Sequence, residues 1–158
     1  MKNRLAPIGT SIALCLLIGT LSALALEGSL DHWYPNVEKP SFTLPERWFA
    51  PIWTLLYLLM GISAGLVWAK GYHHIWVKTA LYHFVFQLLL SVLWTLVFFG
   101  LEKPLWGLLV VLALLSLVFL TIKWFRIISR PAALLLWPYA LWVGYMAVLN
   151  YSIWGIDR

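Results

Sequence analysis

Charge is what this sequence has least of. Only 11% of its 158 residues are Asp, Glu, Lys or Arg, where a water-soluble domain carries about a quarter. An ordinary soluble fold is therefore excluded. A single cysteine, Cys15, excludes an internal disulfide and leaves a helix-packing thiol. Segments of about ten residues with alternating polarity are missing, which excludes a membrane β-barrel. No internal repeat is present, so an inverted-repeat transporter has no support. Paired carboxylates, a P-loop, a Cys/His cluster and a nucleophile triad are all missing. No metal site and no conventional catalysis are expected on that ground.

Long apolar runs stand where charge would be. Leu5–Leu26, Trp48–Ala69, Thr79–Leu101, Pro104–Ile122 and Pro131–Ile156 each lack Asp, Glu, Lys and Arg. Each is near or above the roughly 18–20 residues that a spanning helix needs. The expected fold is an all-α integral membrane protein, a five transmembrane helix bundle forming one domain over residues 1–158. A loop over 27–47 is its longest connection. The first run has a basic start and an Ala23-Leu24-Ala25 that resembles a cleavage site. Its apolar stretch exceeds the ~7–15 residues of a signal peptide, so it reads as a span.

The net charge of +5 reads as topology, not as a nucleic-acid footprint. Lys2, Arg4, Lys70, Lys78, Lys123, Arg126 and Arg130 fall on one side of the membrane. Lys39, Arg47, Lys103 and Arg158 fall on the other, together with all the acids: Glu27, Asp31, Glu38, Glu46, Glu102 and Asp157. The excess of basic residues places the N-terminus in the cytoplasm and the C-terminus outside. The sequence does not specify which membrane.

Polarity within the runs is uneven. In the first, Gly9, Ala13, Thr20 and Ala23 share a stripe that suggests close helix packing. The fourth is nearly all Leu and Val, so lipid or a second subunit is its expected neighbour. Ser129 and Pro131 have the order of a helix cap and first turn for the fifth. Three runs gather aromatic and polar residues on one face at about 100° per residue. These are Trp53, Tyr57 and Met60 in the second, and His83, Gln87, Ser91, Trp94 and Phe98 in the third. Tyr139, Trp142, Met146, Leu149, Asn150 and Ile153 form the face of the fifth. Helix packing accounts for such faces in part. A cavity between helices 2, 3 and 5 accounts for them better, because small-molecule sites have aromatic walls and a few convergent polar groups. The first loop, on the outer side, would close it. His73 and His74 read as solvated loop residues, and His83 as a satisfied helix contact.

The segments WYPNVEKPSFTLPERWFAPIWTLLYLLMG, QLLLSVLWTLVFF and PYALWVGYMAVLNYSIW resemble the tryptophan-rich sensory protein / translocator protein family, also called TspO or the peripheral benzodiazepine receptor. The resemblance runs from Trp33 to near the C-terminus. It implies a five-helix bundle, a homodimer, and a cavity for porphyrins such as protoporphyrin IX, isoquinoline carboxamides and, in animals, cholesterol. It implies ligand contacts at Trp53 and Trp142, with Tyr34, Pro40 and Phe42 in the covering loop. Two departures stand out. Ser91 occupies a place where the family usually has Asn. Leu44, Pro45 and Arg47 stand where it has two prolines and then a Trp. The stretch after Tyr151 lacks a basic residue at the spacing proposed for sterol contact, so sterol binding is not expected.

The expected ligand set is thus Tyr34, Pro40, Phe42, Trp53, Tyr57, Gln87, Ser91, Trp94, Trp142, Met146 and Asn150. A porphyrin is an apolar plate with two carboxylates. Indole faces suit the plate, and Lys39 or Arg47 suits the carboxylates at the rim. The expected partners are membrane lipid, an iron-free porphyrin and a second copy of the chain. No cofactor is required. Two alternatives stay open: a light-dependent porphyrin-degrading enzyme using Trp53 and Trp142, and a structural membrane subunit without a ligand.

Overall fold

The computed structural model describes residues 3–156. Lys2, Asp157 and Arg158, which entered the comparison of the two membrane sides, lie outside them. Five helices are long and apolar enough to cross a membrane. They are α1 (Leu5–His32), α2 (Phe49–Trp68), α3 (Ile75–Thr95), α4 (Pro104–Ile128) and α5 (Arg130–Ile156). No strand occurs among the described residues. The protein is an all-α integral membrane bundle. Its helices pack in the order α1-α2-α5-α4-α3, and the end of α3 returns to α1.

Several boundaries differ from those the charge-free runs suggested, for one physical reason. A charged residue ends an apolar run but does not end a helix. Its stem lies along the helix while its head reaches water. Thus α1 runs past Glu27 to His32, so the loop is shorter than residues 27–47. The helix α3 begins before Lys78, and α4 continues through Lys123 and Arg126 to Ile128. Where the backbone itself intervenes, the expectation holds. Ser129 is extended, and its Oγ accepts from the Ala132 N–H at 3.4 Å.

The expected packing stripe on α1 lies on the wrong face. Gly9 and Ala13 are exposed, and Thr20 and Ala23 are exposed as well. The buried positions are Ser11, Cys15 and Ser22. They are shifted by two residues, about 200° around the helix. The close approach comes from α2 instead. A Cβ on Gly61 would lie 2.6 Å from the Ile12 Cα, and one on Gly65 would meet the Ile8 Cα. These glycines hold the two backbones together over the first half of α1. Further along, Gly19 faces the Tyr57 ring, which a Cβ there would meet at 2.7 Å.

Beyond Thr95, α3 widens into a π turn over Leu96–Gly100, closed by Leu101 N–H to Leu96 C=O at 2.8 Å. The wider turn turns both Phe98 and Phe99 inward. The Ser29 hydroxyl of α1 donates to the Phe99 carbonyl. The turn ends at Glu102, whose φ of 55° is left-handed. Glycine suits that conformation better than any side chain. Glu102→Gly is therefore expected to stabilise the protein by about 1 kcal/mol, read as a raised thermal midpoint in detergent. A lowered midpoint would mean that the Glu102 side chain carries an interaction of its own.

Candidate functional site

The three faces read from the sequence do converge. Trp53 is their hub. Its ring centroid lies 6.0 Å from Tyr57, 6.1 Å from Trp94, 6.4 Å from Tyr139 and 6.0 Å from Trp142. Trp142 in turn meets Phe49 at 6.0 Å and Tyr145 at 5.3 Å. Trp94 stacks on Phe98 at 5.5 Å with the rings 10° from parallel. Where helices 2, 3 and 5 were expected to enclose a cavity, their rings are in contact with one another. The open space lies across Trp53 and Tyr57, against α1. It is a cavity of about 210 Å³, walled by Gly19, Ser22 and Leu26 of α1, Trp53 and Tyr57 of α2, and Phe99 after α3.

The origin of this space is steric. Gly61 and Gly65 let α1 touch α2 at one end, and Tyr57 and Trp53 wedge the pair apart at the other. Exposed Thr20, Ala23, Ala50 and Thr54 form its rim, so it faces the lipid between α1 and α2. The first helix, read from sequence as packing only, is one wall of the site.

Polar groups sit behind the rings. The Tyr57 hydroxyl lies 3.4 Å from the Ser91 Oγ. The hydroxyls of Ser22 and Tyr139 approach the same pair without completing a hydrogen bond. Gln87 donates to the Met60 sulfur at 3.5 Å, and its Oε1 has no partner. The Trp142 Nε1 is likewise buried without an acceptor. Met146 is buried within the same core. Asn150 is different. Its Oδ1 accepts from Trp94 Nε1 at 3.1 Å, and its Nδ2 donates to the Pro104 carbonyl at 2.6 Å. Both ends of this amide are engaged by the protein, so the structure places Asn150 as a tie among α3, α4 and α5.

A model of the TspO/MBR family matches residues 11–155. The chain belongs to the TspO/MBR family. Among its relatives, a tryptophan-rich protein TspO of Archaeoglobus fulgidus is 41% identical, covering 93% of this chain and 94% of its own. One of Chlorobaculum tepidum is 33% identical over 97% of both. The translocator protein of Ovis aries is 34% identical, covering 86% of this chain and 81% of its own.

In this TspO/MBR protein the segment from Trp33 to Pro45 lies over the aromatic cluster. Tyr34 is fully buried, 5.8 Å from Phe49 and 5.5 Å from Phe99. Burial, with Tyr145 and Glu46 nearby, pushes its phenol well above the ordinary value. Pro40 is half-buried and its carbonyl accepts from Thr43, which folds the loop back. Phe42 stands at the edge, 6.3 Å from Tyr145. Lys39, expected at a carboxylate, instead donates to the Tyr34 and Val37 carbonyls and covers the Tyr34 ring at 4.5 Å. Arg47 is exposed beside the Trp48 ring at 5.9 Å and keeps its guanidinium toward the surface.

One side chain fastens this cover to the bundle. The Tyr145 hydroxyl accepts from the Leu44 N–H at 3.0 Å and donates to the Phe42 carbonyl at 3.3 Å. Tyr145→Phe removes both bonds. At about 0.5–1.5 kcal/mol net for each, the Leu44 amide should exchange roughly 10- to 100-fold faster. Unchanged exchange would show that the loop is held elsewhere.

Sequence reasoning missed Gly19, Ser22, Leu26, Thr54, Thr95 and Phe99 in the cavity wall. A usable signal existed. Gly61 and Gly65 form a small-xxx-small pair on α2, and Gly19 is the small residue of α1 that faces Tyr57.

Proposed function

We propose that this protein binds a tetrapyrrole, an iron-free porphyrin, in the space around Trp53. The carrying observation is the position of that one indole. Trp53 lines the cavity beside Tyr57 and also touches Trp94, Tyr139 and Trp142, which do not line it. A flat apolar guest that enters between α1 and α2 therefore meets an indole first and a wall of rings behind it. The cavity of about 210 Å³ is smaller than the roughly 300–1,000 Å³ of ligand pockets. Binding enlarges it by turning Trp53 and Phe49 and by lifting the loop that Tyr145 holds. Gln87 Oε1 and Trp142 Nε1, buried without partners, lie behind that wall and do not line the cavity. Arg47, at the outer start of α2, takes a propionate at the rim.

The test is titration of the detergent-solubilised protein with protoporphyrin IX in the dark. Saturable quenching of tryptophan emission is expected. Loss of aromatic contacts worth about 0.5–1.5 kcal/mol beyond burial, plus the buried area, should weaken Trp53→Ala by 10-fold or more. Trp142→Ala should weaken it similarly through the wall behind. Wild-type affinity in both variants would remove the ligand from this cluster.

A second reading has its own support. Trp53 and Trp142 lie 6.0 Å apart with their planes at 90°, close enough for both to meet oxygen activated by an illuminated porphyrin. In that reading dioxygen is the oxidant, and the macrocycle is the group oxidised. Bleaching in light should then be faster with protein than in detergent alone, and slower in Trp53→Phe/Trp142→Phe. Equal bleaching in the variant eliminates a role for these indoles.

A further inference from the structure

The ends of α4 and α5 build a second site, away from the aromatic cluster. The helix α4 ends at Ile128, Ser129 is extended at φ −152° and ψ 109°, and α5 begins at Arg130. This one-residue turn sets Arg126 and Arg130 beside a groove of about 330 Å³. Ile122 of α4 and Ala133, Leu134 and Trp137 of α5 complete its walls. Its two ends differ in chemistry. Two guanidiniums stand at the membrane surface. Trp137 lies about 10 Å deeper along α5, at 1.5 Å per residue. Leu134 is 66% exposed and Trp137 44% exposed, so the apolar wall faces the acyl chains.

The charge at this corner has no protein counterpart. Neither guanidinium joins a carboxylate among the described residues. Glu27, Asp31, Glu38, Glu46 and Glu102 all sit at the opposite face of the bundle, by the α1–α2 and α3–α4 connections. The positive end of α5 and the negative end of α4 meet at this turn and offset each other, so the attraction rests on the two guanidiniums. Arginine forks suit phosphate oxygens in a bidentate manner. An anionic phospholipid combines a phosphate at that depth with chains lying below it. We propose that this groove binds one such lipid, its phosphate between Arg126 and Arg130 and an acyl chain along Leu134 and Trp137.

The protein in phosphatidylcholine nanodiscs with a minor share of phosphatidylglycerol provides the test. Lipid retained after mild detergent extraction is identified by native mass spectrometry. The wild type should keep phosphatidylglycerol in preference to phosphatidylcholine. Arg126→Gln/Arg130→Gln should lose about 30-fold of that preference, the scale of two basic contacts at a membrane surface. Lys70→Gln/Lys78→Gln, at the same membrane face, should keep it. Leu134→Asn, which adds no charge and leaves both arginines in place, should also release the lipid. Equal loss in the lysine variant would mean diffuse attraction, and would overturn the site. So would retention in the arginine variant or in Leu134→Asn. Displacement of the lipid by inorganic phosphate would show an anion site with no use for the chain, and would overturn it as well.

Discussion

Replacing Gly61 by leucine is expected to lower the thermal midpoint by roughly 6–12 °C. The glycine is not needed for its φ. It is needed because a Cβ there would come 2.6 Å from the Ile12 Cα, with the Ile12 nitrogen at 3.0 Å and the Ser11 carbonyl oxygen at 3.1 Å. A flexible neighbour could turn away, but backbone cannot. Either α1 moves as a whole or the helices part. Overpacking costs about 1–3 kcal/mol, and rigid opposition favours the upper end. For a chain of this length each kcal/mol shifts the midpoint by about 2–4 °C. Gly65→Leu should act alike through Ile8. Controls are at hand. A Cβ on Gly9 or Gly144 meets nothing within 4 Å, so Gly9→Ala and Gly144→Ala should not lower the midpoint and, as helix-interior alanines, should gain up to about 1 kcal/mol. On the proposed function, the glycine variants should also lose porphyrin quenching, because moving α1 off α2 at this crossing alters the cavity wall at Gly19 and Tyr57. A variant that melts early but quenches normally would separate the crossing from the site.

That contrast also explains which parts of the molecule could be read from the sequence. Five spans were legible because a bilayer demands length and apolarity, and both are local properties of the chain. The converging faces of Trp53, Tyr57, Gln87, Ser91, Trp94 and Trp142 were legible because helical periodicity is local too. Span ends were less so, since Lys78, Lys123 and Arg126 interrupt a hydropathy run without interrupting hydrogen bonds. The α1 interface was misread because small size and buried position are different properties. Gly9 and Ala13 are small and face outward, whereas Ser11, Cys15 and Ser22 are buried by a partner 200° away in direction. Only the partner decides that, and the deciding glycines are on α2. The π turn at Leu96–Gly100 left no local signal, yet it is what brings Phe99 to the cavity wall. Nor can one sequence say whether a polar side chain meets a guest or a neighbouring helix. Gln87 and Asn150 carry the same amide. One keeps an oxygen without a partner, and the other is satisfied at both ends.

Asn150→Leu should therefore destabilise the bundle strongly although it keeps the volume of the side chain nearly unchanged. It removes the bond from Trp94 and the bond to the Pro104 carbonyl, tying α5 to α3 and to the first turn of α4. Hydrogen bonds between membrane helices average about 0.6 kcal/mol and reach about 1.7. The larger cost is what remains: a fully buried Trp94 Nε1–H with no acceptor, worth about 1–3 kcal/mol. The sum is about 3 kcal/mol, or a midpoint lowered by roughly 6–12 °C. The size of the residue matters as well, because the Cβ position of Gly107 is 3.0 Å from the Asn150 Oδ1 and leaves no room for a shift toward α4. A double-mutant cycle isolates the polar part. Trp94→Phe alone leaves the Asn150 oxygen unpaired, so it should cost about 1–2 kcal/mol beyond lost packing. With Asn150→Leu already present, Trp94→Phe no longer strands an acceptor and removes the stranded donor. It should then cost less than in the wild type, with a coupling of about 1–2 kcal/mol. Strict additivity would show that the indole and the amide do not depend on each other, and would remove the Trp94 bond from the tie. The two roles separate in one further measurement. As a tie, Asn150 should change porphyrin affinity only in step with the fraction folded. As a ligand contact, it should change affinity at temperatures where the variant is fully folded.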